Sequence, residues 1–200
     1  EIIKLSKSLP NLLQLTLTGG EPFLRKDLHE MPKIFSKNSN LSKCTVVTNG
    51  MLYERIRNQV FTFVNENKNV DFRLSISMDG IGNLHDKIRG VKGSFANVER
   101  TLDLLFKIRD QVPNLWVDIN TTISKYNCEQ FEEIHNYIIT NYPINNHVCG
   151  FTRGNTKEPD AKKIPIEHYT KAKALIAKTR KLRNHPFQKL TSIVTDTVRD

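Results

Sequence analysis

The feature that most constrains this chain is a recurring strand ending. Short runs of alternating apolar and polar residues stop near residues 19, 49, 79, 122 and 153, and a helical apolar stripe follows each of the first four. The usual spacing is about thirty residues, the length of one strand–helix unit. Neighbouring parallel strands need a long crossover, and a helix supplies it. The alternation therefore predicts a parallel sheet with helices outside. The units share little sequence, so the repeat is one of structure.

Taken in order, the chain opens on a helix carrying Ile2, Ile3, Leu5 and Leu9, ended by Pro10-Asn11. Leu13, Leu15 and Leu17 alternate with Gln14, Thr16 and Thr18, which predicts a strand over 12–18. Gly19-Gly20-Glu21-Pro22 stops it abruptly. The glycines allow backbone angles and close approaches that a side chain forbids. Pro22 pushes Glu21 towards extended geometry. The product is a strand end with bare backbone groups and one carboxylate, shaped to receive a small polar ligand. Asp27, with Glu30 three residues on, reads as a capping box before the stripe Leu28, Met31, Ile34 and Phe35, with Pro32 delaying or bending the start. Cys44–Thr48 is a β-branched strand ending at the turn pair Asn49-Gly50. Leu52, Ile56, Val60, Phe63 and Val64 mark a helix, and Asp71–Met78 a strand closed by Asp79-Gly80. Ser94 is the expected cap of a helix with Val98, Leu102, Leu105 and Phe106. Leu115–Ile123 is a strand, and Asn127 the expected cap of a helix with Phe131, Ile134 and Ile138. His147–Thr152 is the last strand, ending at Arg153-Gly154. Pro165 opens a basic helix to about Asn184, Pro186 breaks it, and Phe187, Leu190, Ile193 and Val194 form a short amphipathic tail.

The strands are not continuous apolar runs, as a sheet covered on both faces would show. Phe72, Leu74, Ile76 and Met78 alternate with Arg73, Ser75, Ser77 and Asp79; Leu115, Val117 and Ile119 alternate with Asp118, Asn120 and Thr122. One face meets helices and the other is polar. A closed eight-stranded barrel has a filled, branched apolar lumen, so a curved, incomplete barrel with a wet cleft fits better. Sites in such sheets lie at the carboxyl ends of the strands.

Two hundred residues suit one domain, divided here into a core over 1–154 and a basic helical extension over 155–200. Three distant cysteines argue against a disulfide framework and for a reducing, cytoplasmic setting. No apolar run approaches the roughly 18 residues of a membrane span. Each cysteine reads as a small buried residue, and Trp116 and the periodic phenylalanines read as core. His29, His135, His147, His168 and His185 show no metal-ligand spacing. The net charge of +9 concentrates towards the C-terminal end, in Lys157, Lys162, Lys163, Lys171, Lys173, Lys178, Arg180, Lys181 and Arg183. That stretch permits a second reading, a degenerate barrel that binds nucleic acid without catalysis. Stacking aromatics are sparse there, Tyr169 apart, and a solvated helix face explains the charge more simply.

Gly19-Gly20-Glu21-Pro22, Thr48-Asn49-Gly50 and Ser75-Ile76-Ser77-Met78-Asp79-Gly80, each at a strand end, resemble the radical S-adenosylmethionine enzymes. His85-Asp86-Lys87-Ile88-Arg89-Gly90, followed by Gly93-Ser94-Phe95, is similar to the branch of anaerobic sulfatase-maturating and other SPASM-type enzymes. The resemblance covers roughly residues 12–154 and implies a partial (β/α)6 barrel. It implies reductive cleavage of S-adenosylmethionine by a [4Fe–4S] cluster, fed by an electron donor. The resulting 5′-deoxyadenosyl radical takes a hydrogen atom from a substrate, which for this branch is a peptide or protein side chain.

The resemblance also implies residue roles. Gly19, Gly20 and Glu21, with Pro22 fixing the turn, would meet the methionine amino group. Ser77 and Arg89 would hold the methionine carboxylate or the ribose. Asn49, Asp79, Asn120 and Thr122 are candidates for ribose or substrate contacts, and residues 148–152 would lie against adenine. Asn49 and Asp79 also suit plain turn residues, His85 and Asp86 suit the ordering of their own loop, and Arg153 suits either an ion pair or substrate. The chain departs from the family in lacking a C-x3-C-x2-C run. The expectation is a fragment whose cluster loop and first strand lie upstream of Glu1, so that the chain alone holds no cluster and is inactive. Its unpaired edge strand would then favour self-association.

Overall fold

A computed structural model describes residues 1–156 and 158–179. The order is α1 (Ile2–Lys7), β1 (Gln14–Leu17), α2 (Glu30–Asn38), β2 (Lys43–Thr48), α3 (Tyr53–Glu66), β3 (Asp71–Ser77), α4 (Asn83–Arg89), α5 (Ser94–Arg109), β4 (Leu115–Ile123), α6 (Phe131–Asn141), β5 (Asn146–Phe151) and α7 (Ile166–Thr179). Single 3-10 turns lie at Pro22–Leu24 and Pro159–Lys162.

The five strands form one sheet in sequential order, and every neighbouring pair is parallel. Crossovers of one hand joining sequential neighbours put the connecting helices on one face. That face carries Val46, Leu74, Ile76, Val117 and Ile119, packed with Ile56, Val60 and Phe63 of α3, Val98, Leu102 and Leu105 of α5, and Ile134 and Ile138 of α6. The other face carries Thr45, Arg73, Ser75, Ser77, Trp116, Asp118, Asn120 and Thr122, as the alternation predicts; the register sets Arg73 beside Trp116, Ser75 beside Asp118 and Ser77 beside Asn120.

Several local expectations are corrected. Asp27 does not cap α2; it pairs with Arg25 at 2.8 Å, and the helix starts at Glu30. Pro32 then falls in the first turn, where its missing N–H has no intrahelical acceptor to lose. Ser94 does not cap α5. The capping carboxylate is Asp86 of α4, which accepts from the amide of Phe95 and the hydroxyl of Ser94, both at 2.8 Å. Residues 83–89 form α4 where a loop was expected, because only Leu84 and Ile88 mark its apolar side, too few for a stripe.

Trp116 is buried, as expected of core, and it lies on the polar face of the sheet with the Arg73 guanidinium 5.2 Å from its ring centroid. Phe61 is exposed. Of the cysteines only Cys44 is fully buried; Cys128 and Cys149 are half-buried.

Helix α7 packs Ala172, Leu175 and Ile176 against Ile123, Phe131 and Phe151, with the Phe151 and Tyr169 rings 4.2 Å apart. The expected continuation to Asn184 and the tail from Phe187 to Val194 lie outside the described residues. Among those described, no helix is long and apolar enough to cross a membrane.

Candidate functional site

The carboxyl edge of the sheet is built at two places. At the β1–β2 end, Gly19 and Gly20 are exposed, and a Cβ added to either would find nothing within 4 Å. The backbone there is open. Pro22 is buried and starts the 3-10 turn, and Glu21 caps that turn by accepting from the Phe23 amide at 3.2 Å. The Glu21 carboxylate also crosses to β2. It accepts from the Thr48 hydroxyl at 2.7 Å and from the Asn49 amide at 2.8 Å. The Asn49 side chain accepts from the Met51 amide at 2.9 Å, closing its own turn. Gly50 has φ +74°, and a Cβ there would stand 3.2 Å from Val98 and 3.3 Å from Ile76, so the turn needs glycine. Its carbonyl accepts from Thr101 of α5 at 2.8 Å.

At the β3–β4 end, Asp79 is 4% exposed. One carboxylate oxygen meets Arg89 at 2.9 Å, and the other accepts from the Thr122 amide at 2.8 Å. The Asp79 amide donates to His85 Nδ1 at 3.1 Å, and its carbonyl accepts from Asn127 Nδ2 at 2.8 Å. Burial pushes the Asp79 carboxyl up, with the Arg89 charge and the Thr122 amide opposing. Burial, with Arg89 beside it, pushes His85 down to about 4. His85 is therefore neutral at pH 7, with its proton on Nε2 because Nδ1 accepts. His85 and Arg89 lie four residues apart on one face of α4. Gly80 lets that helix come close, since a Cβ there would meet the His85 nitrogen at 2.8 Å.

The structure thus brings Glu21 to Asn49, and Asp79 to Arg89 and Thr122. Ser77 is buried and Asn120 and Thr122 are half-buried on the polar face, with Ser77 in register with Asn120 and Thr122 with Gly150 of β5. Arg153 is exposed. His85 and Asp86 order their own segment, as expected. Asn127 does not cap α6, which starts at Phe131; it is fully buried and joins Asp79 to the Thr122 carbonyl, 3.0 Å away. Sequence reasoning missed that role and missed Thr48. Short polar residues next to strand ends are the signal that could have pointed to both.

A sequence model of the Radical SAM superfamily matches residues 1–141. The chain belongs to the radical SAM superfamily. An AdoMet-dependent heme synthase of Oleidesulfovibrio alaskensis is 33% identical over 121 residues, 60% of this chain and 28% of that protein. The sporulation killing factor maturation protein SkfB of Bacillus subtilis is 30% identical over 120 residues, 60% of this chain and 26% of that protein. Among solved structures, native anSMEcpe with bound AdoMet and the Kp18Cys peptide superposes with a TM-score of 0.62 at 19% identity, covering 86% of this chain and 48% of that one. This radical SAM chain therefore spans under a third of the length of these curated relatives, and its fold is that of the partial barrels. Nothing among the comparisons supports the nucleic-acid-binding alternative, which is set aside.

The family's two cofactors fare differently against these residues. A zwitterionic amino acid fits the edge, which offers open backbone at Gly19-Gly20, the Glu21 carboxylate, and an Arg89 whose side chain is 30% exposed and whose buried Nε has no partner. An iron–sulfur cluster does not fit. No group of three His, Cys, Asp or Glu side chains comes together among the described residues, and burial pushes the Cys44 thiol up to about 12.

Proposed function

We propose that this chain is the cofactor-handling part of a radical SAM enzyme that binds S-adenosylmethionine at the carboxyl edge of its sheet and modifies a peptide or protein substrate. The observation that carries the reading is one edge presenting an anchored cation, Arg89, an anchored carboxylate, Glu21, and open glycine backbone. These complement the carboxylate and ammonium of an amino-acid cofactor. Arg89 holds the carboxylate, since a guanidinium donates two parallel hydrogen bonds. Gly19, Gly20 and Glu21 supply acceptors for the ammonium, which needs only acceptors. Ser77, Asn120 and Thr122 face the cleft for ribose or substrate, and Asn49 and Pro22 fix the shape of the turn. The bound cofactor supplies the radical chemistry, and the protein orients it and keeps water out.

Relatives with different printed roles, heme synthesis and killing-factor maturation, each match over about 120 residues of this chain. A peptide is favoured by the maturation relative and by the peptide bound in the structural neighbour.

The test uses the full-length protein with its cluster restored under anaerobic reductant. S-adenosylmethionine should be cleaved to methionine and 5′-deoxyadenosine. Arg89→Ala should weaken cofactor binding by roughly ten- to a hundredfold, the worth of a charge-assisted hydrogen bond. Absence of 5′-deoxyadenosine would sink the activity, and unchanged affinity in Arg89→Ala would sink the site.

A further inference from the structure

Every polar group of Asp79 is engaged, each by a different partner. Its amide goes to His85, its carbonyl to Asn127, and its two carboxylate oxygens to Thr122 and Arg89. At 4% exposure its carboxylate is turned towards these partners and away from solvent. Arg89 is the opposite. Only Nη2 meets Asp79, and 30% of the side chain is exposed. Asn127 is itself fixed, accepting from the Ser124 amide at 2.7 Å while donating to the carbonyls of Asp79 and Thr122. The ends of β3 and β4 and one face of α4 are thus tied into a single unit around one carboxylate.

We infer that Asp79 is a positioning residue: clamped by His85 and Asn127, it touches no ligand and aims the free donors of the Arg89 guanidinium into the cleft. This replaces the sequence-based expectation of a ribose or substrate contact. It rests on the reading of Arg89 as the cation that binds the cofactor carboxylate. Without its partner, an arginine with several rotatable bonds samples many orientations, and the pairing geometry with a ligand carboxylate is lost most of the time. Substituting Asp79 by Asn keeps an acceptor for Thr122 but turns a donor, or a weaker acceptor, towards Arg89.

The experiment measures equilibrium binding of S-adenosylmethionine and of decarboxylated S-adenosylmethionine to the full-length holoenzyme without reductant. The proteins are wild type, Arg89→Lys, Asp79→Asn, Asn127→Ala and the Arg89→Lys/Asp79→Asn double variant. Asp79→Asn should lose about tenfold in affinity for S-adenosylmethionine. It should bind the decarboxylated ligand as wild type does, and the double variant should bind no more weakly than Arg89→Lys. Asn127→Ala, which leaves both charges in place, should show the same selectivity at about threefold, and it carries the test if Asp79→Asn does not fold. Equal losses for both ligands would mean that Asp79 contacts the shared nucleoside or merely holds the fold, and would overturn the inference. So would wild-type affinities in Asp79→Asn. If Arg89→Lys itself shows no carboxylate-selective loss, the reading of Arg89 fails first. If it does and Asp79→Asn does not, only the role of Asp79 falls.

Discussion

Two arginine–aspartate pairs belong to the polar side of this sheet, and they differ in one respect. Arg73 of β3 pairs with Asp118 of β4 well inside the strands, with side chains 12% and 5% exposed. Asn146 donates to Asp118 at 3.1 Å, and Trp116 lies under the guanidinium. At the carboxyl edge, Arg89 pairs with Asp79, but here the arginine is 30% exposed and the aspartate 5%. The chemistry is the same and the solvent access is not. A pair sealed on both sides can only hold strands together. A pair sealed on the carboxylate side alone presents a partly exposed cation whose direction is fixed. Partial exposure of one partner separates a brace from a binding group.

The sharpest way to break that comparison is to neutralise each aspartate. Asp118→Asn removes the negative charge that faces the buried Arg73 guanidinium, and breaking a buried pair costs about 3–5 kcal/mol. Asp79→Asn leaves Arg89, which can turn to water, and should cost about 1–2 kcal/mol. Chemical denaturation of both variants checks the order. Equal losses, or a larger loss at Asp79, would mean that exposure does not separate the two pairs.

A second effect separates the helix side of the sheet from its polar side. His147 Nε2 meets the Thr121 hydroxyl at 2.8 Å, and its Nδ1 meets His135 Nδ1 at 2.7 Å. The far nitrogen of His135 meets Thr179 of α7 at 2.6 Å. Thr121 donates on to the Met78 carbonyl at 2.7 Å, so one proton per contact satisfies a chain of neutral groups from α7 to the end of β3. Two facing Nδ1 atoms cannot both carry protons. Burial, with His135 beside it, pushes His147 down to about 3; burial also lowers His135, against the opposing charge of Glu132. The unfolded histidines titrate near 6.5. Below that value the unfolded chain binds more protons than the folded one, so stability is complete above pH 6.5 and falls as pH drops towards 3. The slope approaches 1.4 kcal/mol per pH unit for His147, or about 2 kcal/mol between pH 6.5 and 5, and His135 adds in the same direction. His85 acts in the same direction, and Asp79, whose carboxyl is raised, acts against it. The informative quantity is therefore the slope of wild type minus that of His147→Gln. A difference of zero over this range would remove the buried pair from the account.

These contrasts also explain what the sequence made legible. The strands were readable because alternation is local: Phe72 to Met78 and Leu115 to Ile123 declare their two faces within a few residues. Glu21 and Asp79 were readable as candidates because motif and strand end coincide, and Arg89 through the resemblance carried by residues 85–90. Their partners were not. Thr48 lies 27 residues from Glu21 in the chain, Asn127 lies 48 from Asp79, and Asp118 lies 45 from Arg73. No local pattern encodes contacts made across neighbouring strand ends. For the same reason Asn127 passed for a helix cap: its residue type suits that local reading, and partners at neighbouring strand ends decided otherwise. Asp86 shows the reverse error, a cap supplied from the preceding helix when Ser94, at the usual position, looked sufficient.

The smallest expected effect on stability falls where the polar face is barest. Val148 of β5 pairs in register with Asn120 and is 47% exposed, an apolar side chain on the open face of an edge strand. Little burial is at stake, so Val148→Lys should change stability by no more than about 0.5 kcal/mol. The same position should matter for the ligand. The family resemblance would set residues 148–152 against adenine, and a flat aromatic base gains from an apolar wall and loses when a hydrated ammonium replaces it. Binding of S-adenosylmethionine to full-length Val148→Lys should be several-fold weaker than to wild type, and 5′-methylthioadenosine, which keeps the adenine and lacks the carboxylate, should lose as much. That pattern is the mirror of the one expected at Asp79, where only the carboxylate-bearing ligand suffers. Wild-type affinity for both ligands in Val148→Lys would move the base away from β5.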